Sequence, residues 1–235
     1  MRIKLSFARI FTLAAIDGVA EYYDTVESGL QIAKVEDQER ILAKIRGMKL
    51  EREDETAKWD EWDLAGQEHQ MTFDMLLPNY FHYSYIVLLF LVVEDKLREM
   101  CKAAQSMGDL PAPPTPKQDP IGEYKEYLTK TAGIVSLNWE AIHDLAKIRN
   151  CIVHTSGKVG ASRDKKRLQE LAAKRELGIS ISVKHADFGE HLPLYLEDDR
   201  LVLEPKYCRR VTMAVRDFFE GLCAALVLPE TTIEA

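Results

Sequence analysis

The chain has 235 residues, 46% of them hydrophobic and 29% charged, with a formal net charge of -7 and a pI near 5.5. That length and apolar content are enough for a buried core, which excludes global disorder and a fibrous repeat. The acidic balance excludes a protein that coats DNA or anionic membrane by general attraction, so a nucleic-acid site has to be local.

Arg2 and Lys4 precede an apolar stretch, but Arg9 and Asp17 interrupt it and no small-residue cleavage pattern follows. The reading is against a signal peptide, and the expected location is cytoplasmic. From Ile3 to about Lys34, Phe7, Ile10, Phe11, Ala14 and Ile16 recur at helical intervals, weakened by Gly18 and Gly29. Val35 to Leu77 is charged and helix-forming, with sparse apolar residues such as Ile41, Ile45, Trp59 and Trp62, and predicts a long exposed arm helix. Pro78-Asn79 is read as its stop, which divides the chain into an N-terminal helical arm (1–78) and a helical domain (79–228).

A core helix is predicted from Tyr80 to Ser106, its stripe formed by Ile86, Leu89, Phe90, Val93, Leu97 and Met100. The run Tyr85–Val93 is far short of the ~20 residues of a spanning helix, so it is read as core and no membrane partner is expected. Four prolines between Gly108 and Pro116 predict an extended connection. A short helix near 122–132 leads to a second central helix at about 137–153, which Thr155-Ser156-Gly157 ends. Ala161–Glu176 reads as a basic helix and Ile179–Val183 alternates like a strand. Leu194–Leu196 and Leu201–Leu203 read as a small β-hairpin before a closing helix at about 206–226.

Cys101, Cys151, Cys208 and Cys223 are far apart in apolar helical contexts and read as reduced core thiols. The six histidines show no metal-ligand spacing, so neither metal nor cofactor is expected. Phosphate-cradling glycine loops and nucleophile elbows are also lacking.

The second central helix carries the distinctive chemistry. Arg149 falls in line with Leu145, Ile152 and Val153, so a permanent cation projects from an apolar stripe and needs an anionic partner, a ligand or an opening to water. Asn150 and His154, spaced i,i+4, share the flanking face. Guanidinium, amide and imidazole thus gather at one helix end as phosphate donors. Arg149 and His154 point about 140° apart, so a second copy across a two-fold axis is expected to complete the site.

Arg149-Asn150-Cys151-Ile152-Val153-His154 resembles the ribonuclease motif of the HEPN superfamily: an arginine, an adjoining polar residue, and a histidine a few residues on. The apolar helix ending in Glu94, a variable loop, and the motif helix running into Thr155-Ser156-Gly157 extend the resemblance over roughly Tyr80 to Leu226. It implies a mainly α, up-down helical bundle, and with the two-fold geometry above the expected partner is a second copy, a homodimer with a shared active site. It further implies an endoribonuclease of toxin or antiviral-defence type that cleaves RNA without metal and leaves a cyclic phosphate.

In that reading the RNA 2′-hydroxyl attacks, His154 transfers protons, Arg149 stabilises the transition state and Asn150 orients His154 or donates to phosphate. Glu94 holds Arg149, and Lys158, Arg163, Lys165, Lys166 and Arg167 attract the RNA. Plainer readings stand beside it: Arg149 and His154 capping a helix C-terminus, Glu94 pairing with Arg98, and the basic run as a solvated face. The alternative function is a non-catalytic helical module that binds nucleotide, RNA or an inhibitory or effector protein.

Overall fold

The first proline of the chain is Pro78, and in the computed structural model every described residue before it is helical. The structure describes residues 2–47, 55–108, 110–117, 119–134, 137–182 and 199–227. Helix α1 (Arg2–Gly47) is continuous across the junction expected near residue 35. Gly18 and Gly29 face open space, and a helical glycine costs only about 1 kcal/mol, too little to break a helix packed on two neighbours.

The stop expected at Pro78 is corrected. Helix α2 (Glu55–Gln70) passes through a π turn (Met71–Leu76) straight into α3 (Leu77–Gly108). Pro78 has no N–H to donate, and its ring crowds the carbonyl one turn back. The wider turn, in which the Leu77 N–H bonds the Thr72 carbonyl, absorbs that crowding without ending the helix. The division at 78 also shifts. Ile16, Val19 and Tyr23 of α1 lie in the same buried cluster as α3, so the first half of α1 is part of the bundle. The arm is the second half of α1 paired with α2.

Interhelical contacts give the direction of each helix. Lys34–Asp74, Asp37–His69 and Lys44–Glu61 run α1 and α2 antiparallel, and Tyr23–His82 continues this along α3. Helix α7 (Pro205–Val227) runs antiparallel to α1 through Asp24–Arg209 and Asp17–Arg216. Helix α5 (Glu140–Thr155) opposes α3, with Arg149 over Phe90, and opposes α7, with Trp139 against Phe218. The helices α1, α3, α5 and α7 therefore alternate up and down around Tyr23, Ile86, Leu89, Leu145, Ile148 and Phe219.

The proline-rich stretch has no regular element in its described part, and Tyr127 ties it down by donating to the Pro111 carbonyl at 2.8 Å. Helix α4 (Pro120–Glu126) begins with Asp119 accepting from the Gly122 N–H at 3.1 Å and ends in a second π turn, Tyr127–Thr131. After α5 come α6 (Lys165–Ala173), β1 (Ile179–Ile181) and β2 (Leu201–Leu203). A small β element stands before the last helix: among the described residues β2 pairs antiparallel with β1, Ile179 opposite Leu203. The expected strand 194–196 lies outside the described residues.

All four cysteines are free and buried. Among the described residues, the helix Trp59–Gly108 is long and apolar enough, by length and composition, to cross a membrane; 44% of its 18-residue apolar window is buried.

Candidate functional site

The motif helix α5 is held in place at its C-terminal end. Ser156 and Gly157 both take left-handed backbone (φ 53° and 83°), and the Gly157 N–H closes onto the Cys151 carbonyl at 3.1 Å. A side chain at 157 would be strained by that φ, and its Cβ would lie 2.1 Å from the Tyr83 hydroxyl. Tyr83 in turn donates to the Leu201 carbonyl, and the Leu201 N–H donates to the Gly157 carbonyl at 2.9 Å. Thus α3, β2 and the end of α5 form one joint, which fixes the direction of the last turns of α5.

On those turns Arg149 is half-buried, with its guanidinium carbon 5.2 Å from the centroid of the Phe90 ring. Its Nη1 donates to Asn150 Oδ1 at 3.0 Å, and its buried Nε has no hydrogen-bond partner among the described residues. No carboxylate pairs with Arg149 among the described residues. The charge rests on a π face and a neutral amide, both weaker partners than a carboxylate. Asn150 commits its oxygen to Arg149 and keeps its NH2 as a donor. His154, one turn on, is exposed, as is Val153 at 46%. Guanidinium, amide and imidazole therefore lie along one short stretch of helix with the imidazole in solvent.

The expected supporting role of Glu94 is not what the geometry shows. Glu94 is half-buried and makes no ion pair with Arg149 among the described residues; Phe90, one turn earlier on α3, lies under the guanidinium instead. The plainer pairing of Glu94 with Arg98 is not formed either, because Arg98 bonds Asp95.

The basic cluster divides. Arg163, Lys165 and Lys166 are exposed, and Lys158 is half-buried with its backbone bridged to Arg200. Arg167 is a correction: it is a clamp between α6 and α5. Its Nε and Nη2 grip both Asp144 oxygens at 2.8 and 2.7 Å, and Nη2 also reaches Glu140 at 2.7 Å. The Asp144 carboxylate, then Glu140, pushes its pKa upward. The interleaved acids of α5 use up this cation, and Asp144 lies ten residues, roughly 15 Å of helix, from His154.

On the first turns of α3, Phe81, His82 and Tyr83 are buried and Tyr80 is exposed, so this aromatic run packs into the bundle. One feature was not anticipated from the sequence. His69 bonds Asp37 at 2.8 Å in a cleft between α1 and α2. The i,i+3/i+4 recurrence of Asp37, Ile41 and Lys44 with Ala65, His69 and Thr72 is the signal that would have put these residues on facing stripes. Comparison of the chain with protein-family models, curated proteins and solved structures finds no match.

Proposed function

We propose that this protein is a HEPN-type endoribonuclease that cleaves RNA without metal by attack of the 2′-hydroxyl. The supporting observation is the state of Arg149, a half-buried cation on Phe90 with no carboxylate partner among the described residues, one turn from an exposed histidine. A cation kept in that state is a standing attraction for an oxyanion.

In the reaction, Arg149 and the Asn150 NH2 bind the non-bridging oxygens of the scissile phosphate. The 2′-oxygen forms a bond to phosphorus as the 5′-oxygen bond breaks; one proton leaves the 2′-hydroxyl and one reaches the 5′-oxygen, with His154 serving one of these transfers. The products are a 2′,3′-cyclic phosphate and a 5′-hydroxyl. Arg163, Lys165 and Lys166 supply local attraction in an acidic protein. Two copies share the site, the protein is cytoplasmic, and its setting is a toxin or antiviral-defence system.

Incubation of the purified protein with mixed RNA in EDTA tests this, with His154→Ala as the control and end-group analysis of the products. Cleavage by wild type alone, leaving cyclic phosphates, is the expected result. Equal cleavage by His154→Ala overturns the assignment, and RNA binding without cleavage by wild type supports the non-catalytic module.

A further inference from the structure

The stretch where α1 faces α2 contains a second polar centre. An antiparallel helix pair is ordinarily held by apolar residues at its facing positions. Here Ile41 and Phe73 fit that rule, but at the same level Asp37 and His69 meet inside the pair, with side chains only 16% and 12% exposed. The level is not closed: a cleft of about 500 Å³ opens there, lined by Asp37, Ile41, Ala65, His69, Thr72 and Phe73 among others. That volume is within the range of small-molecule sites. The π turn Met71–Leu76 places Thr72 and Phe73 on the wall, and single π turns recur at functional sites.

The hydrogen bonding defines what the cleft offers. Asp37 Oδ2 accepts from His69 Nδ1 at 2.8 Å, while Arg40 bonds Oδ1, so both carboxylate oxygens are engaged. In the neutral ring a carboxylate on Nδ1 places the proton there and makes Nε2 the acceptor, the same arrangement that makes histidines good acceptors and bases. Phe73 lies against the imidazole, with centroids 5.1 Å apart. The formal charges of the lining, Asp37 and Glu68 against Arg40 and Lys44, sum to zero, and Arg40 is bound to Asp37 and Lys44 to Glu61, so neither cation is free to draw in an anion. Apolar walls, balanced charge and one oriented acceptor describe a site for an uncharged ring compound carrying a hydroxyl or N–H.

We infer that this cleft binds a small neutral aromatic molecule through a hydrogen bond donated to His69 Nε2, with the ring held between Ile41 and Phe73. Asp37 is a positioning residue that sets the tautomer. A polar pair in an open cleft at facing helix positions stabilises the hairpin less than packed apolar side chains do, and ligand binding gives that sacrifice a use.

The full chain, labelled with 15N at histidine, is titrated with phenol, which donates a hydrogen bond, and in parallel with anisole, of similar ring shape but with no donor. Saturable movement of the His69 Nε2 resonance with phenol and none with anisole is the expected result. Asp37→Asn, close in shape and retaining the hairpin, loses most of the phenol shift because the tautomer is no longer fixed. His69→Gln, checked for helical circular dichroism, loses the resonance and the saturable change in neighbouring signals. An unmoved His69 resonance overturns the inference, and so does an equal response to anisole, which would mark only an apolar void. This experiment involves no RNA, so its outcome is independent of the ribonuclease assignment.

Discussion

Arg149 can be judged by comparing what it does for the fold with what it offers a ligand. A guanidinium with one neutral hydrogen bond, one aromatic face and an orphaned Nε contributes little to stability. Arg149→Met, which keeps an unbranched chain over Phe90, should therefore leave the protein as stable as wild type, or up to about 1 kcal/mol more stable in urea unfolding. On the proposed ribonuclease assignment, RNA cleavage falls at least about 100-fold, and Arg149→Lys does not restore it, since a point charge lacks the planar fork. If Arg149 were only a helix cap, the Met variant would lose stability instead. Arg167 presents the opposite case: Arg167→Ala should cost about 1–2 kcal/mol by removing the clamp on Asp144 and Glu140. Lys165→Ala and Lys166→Ala should leave the unfolding curve unchanged while weakening RNA binding and flattening its salt dependence. The sequence showed these cations as one cluster because interleaved acids within α6 are visible, whereas the carboxylates that capture Arg167 come from α5, more than twenty residues earlier.

Single elements were legible where the cause is local. Thr155-Ser156-Gly157 marks the end of α5 because left-handed backbone after a helix is a local demand, and α7 and the stripe of α3 follow from periodicity alone. Reading failed where a neighbour decides. Pro78 signals a stop by itself, but the helix continues through the π turn before it; β2 pairs with β1, some twenty residues earlier in the chain, and nothing in Leu201–Leu203 encodes that partner. The joint at Gly157 combines both kinds of cause, since the positive φ is local and the Tyr83 hydroxyl in the space of a side chain is not. Gly157→Ala should accordingly cost more than about 2 kcal/mol, beyond the usual penalty for left-handed alanine, and should also reduce RNA cleavage by misdirecting the last turn of α5. Gly29→Ala, with open space around it in the middle of α1, should stabilise by about 0.5–1 kcal/mol. Thermal unfolding of the two variants side by side separates a glycine needed for its backbone from one that is merely tolerated.

At the scale of the whole molecule, α1, α3 and β2 meet at His82, a histidine only 2% exposed. Its Nδ1 lies 2.6 Å from the Leu203 carbonyl, which can only accept, so Nδ1 carries the proton and Nε2 accepts from the Tyr23 hydroxyl at 3.2 Å. The neutral ring is fully satisfied. A second proton would face the phenol that now donates to it, with the Glu27 carboxylate, 3.7 Å away, as the nearest compensation. Burial accordingly holds the His82 pKa below the ordinary 6.5, and outweighs the Leu203 carbonyl and Glu27, which raise it. On α5, burial followed by the Lys125 ammonium lowers His143 in the same direction. Where folded imidazoles titrate below unfolded ones, the unfolded chain binds more protons, so stability is complete above pH 6.5 and declines as the pH falls below it toward the folded values. Urea unfolding at half-unit steps from pH 7.5 to pH 5 should show the midpoint constant at the upper end and falling steadily below about 6.5. His82→Gln should lower stability at pH 7.5 by leaving Tyr23 and Leu203 imperfectly paired, yet make the midpoint less sensitive to acid, with the remaining slope due to His143. A His82→Gln slope equal to that of wild type would place the acid sensitivity elsewhere in the bundle and remove His82 as the proton-sensitive link between α1, α3 and β2.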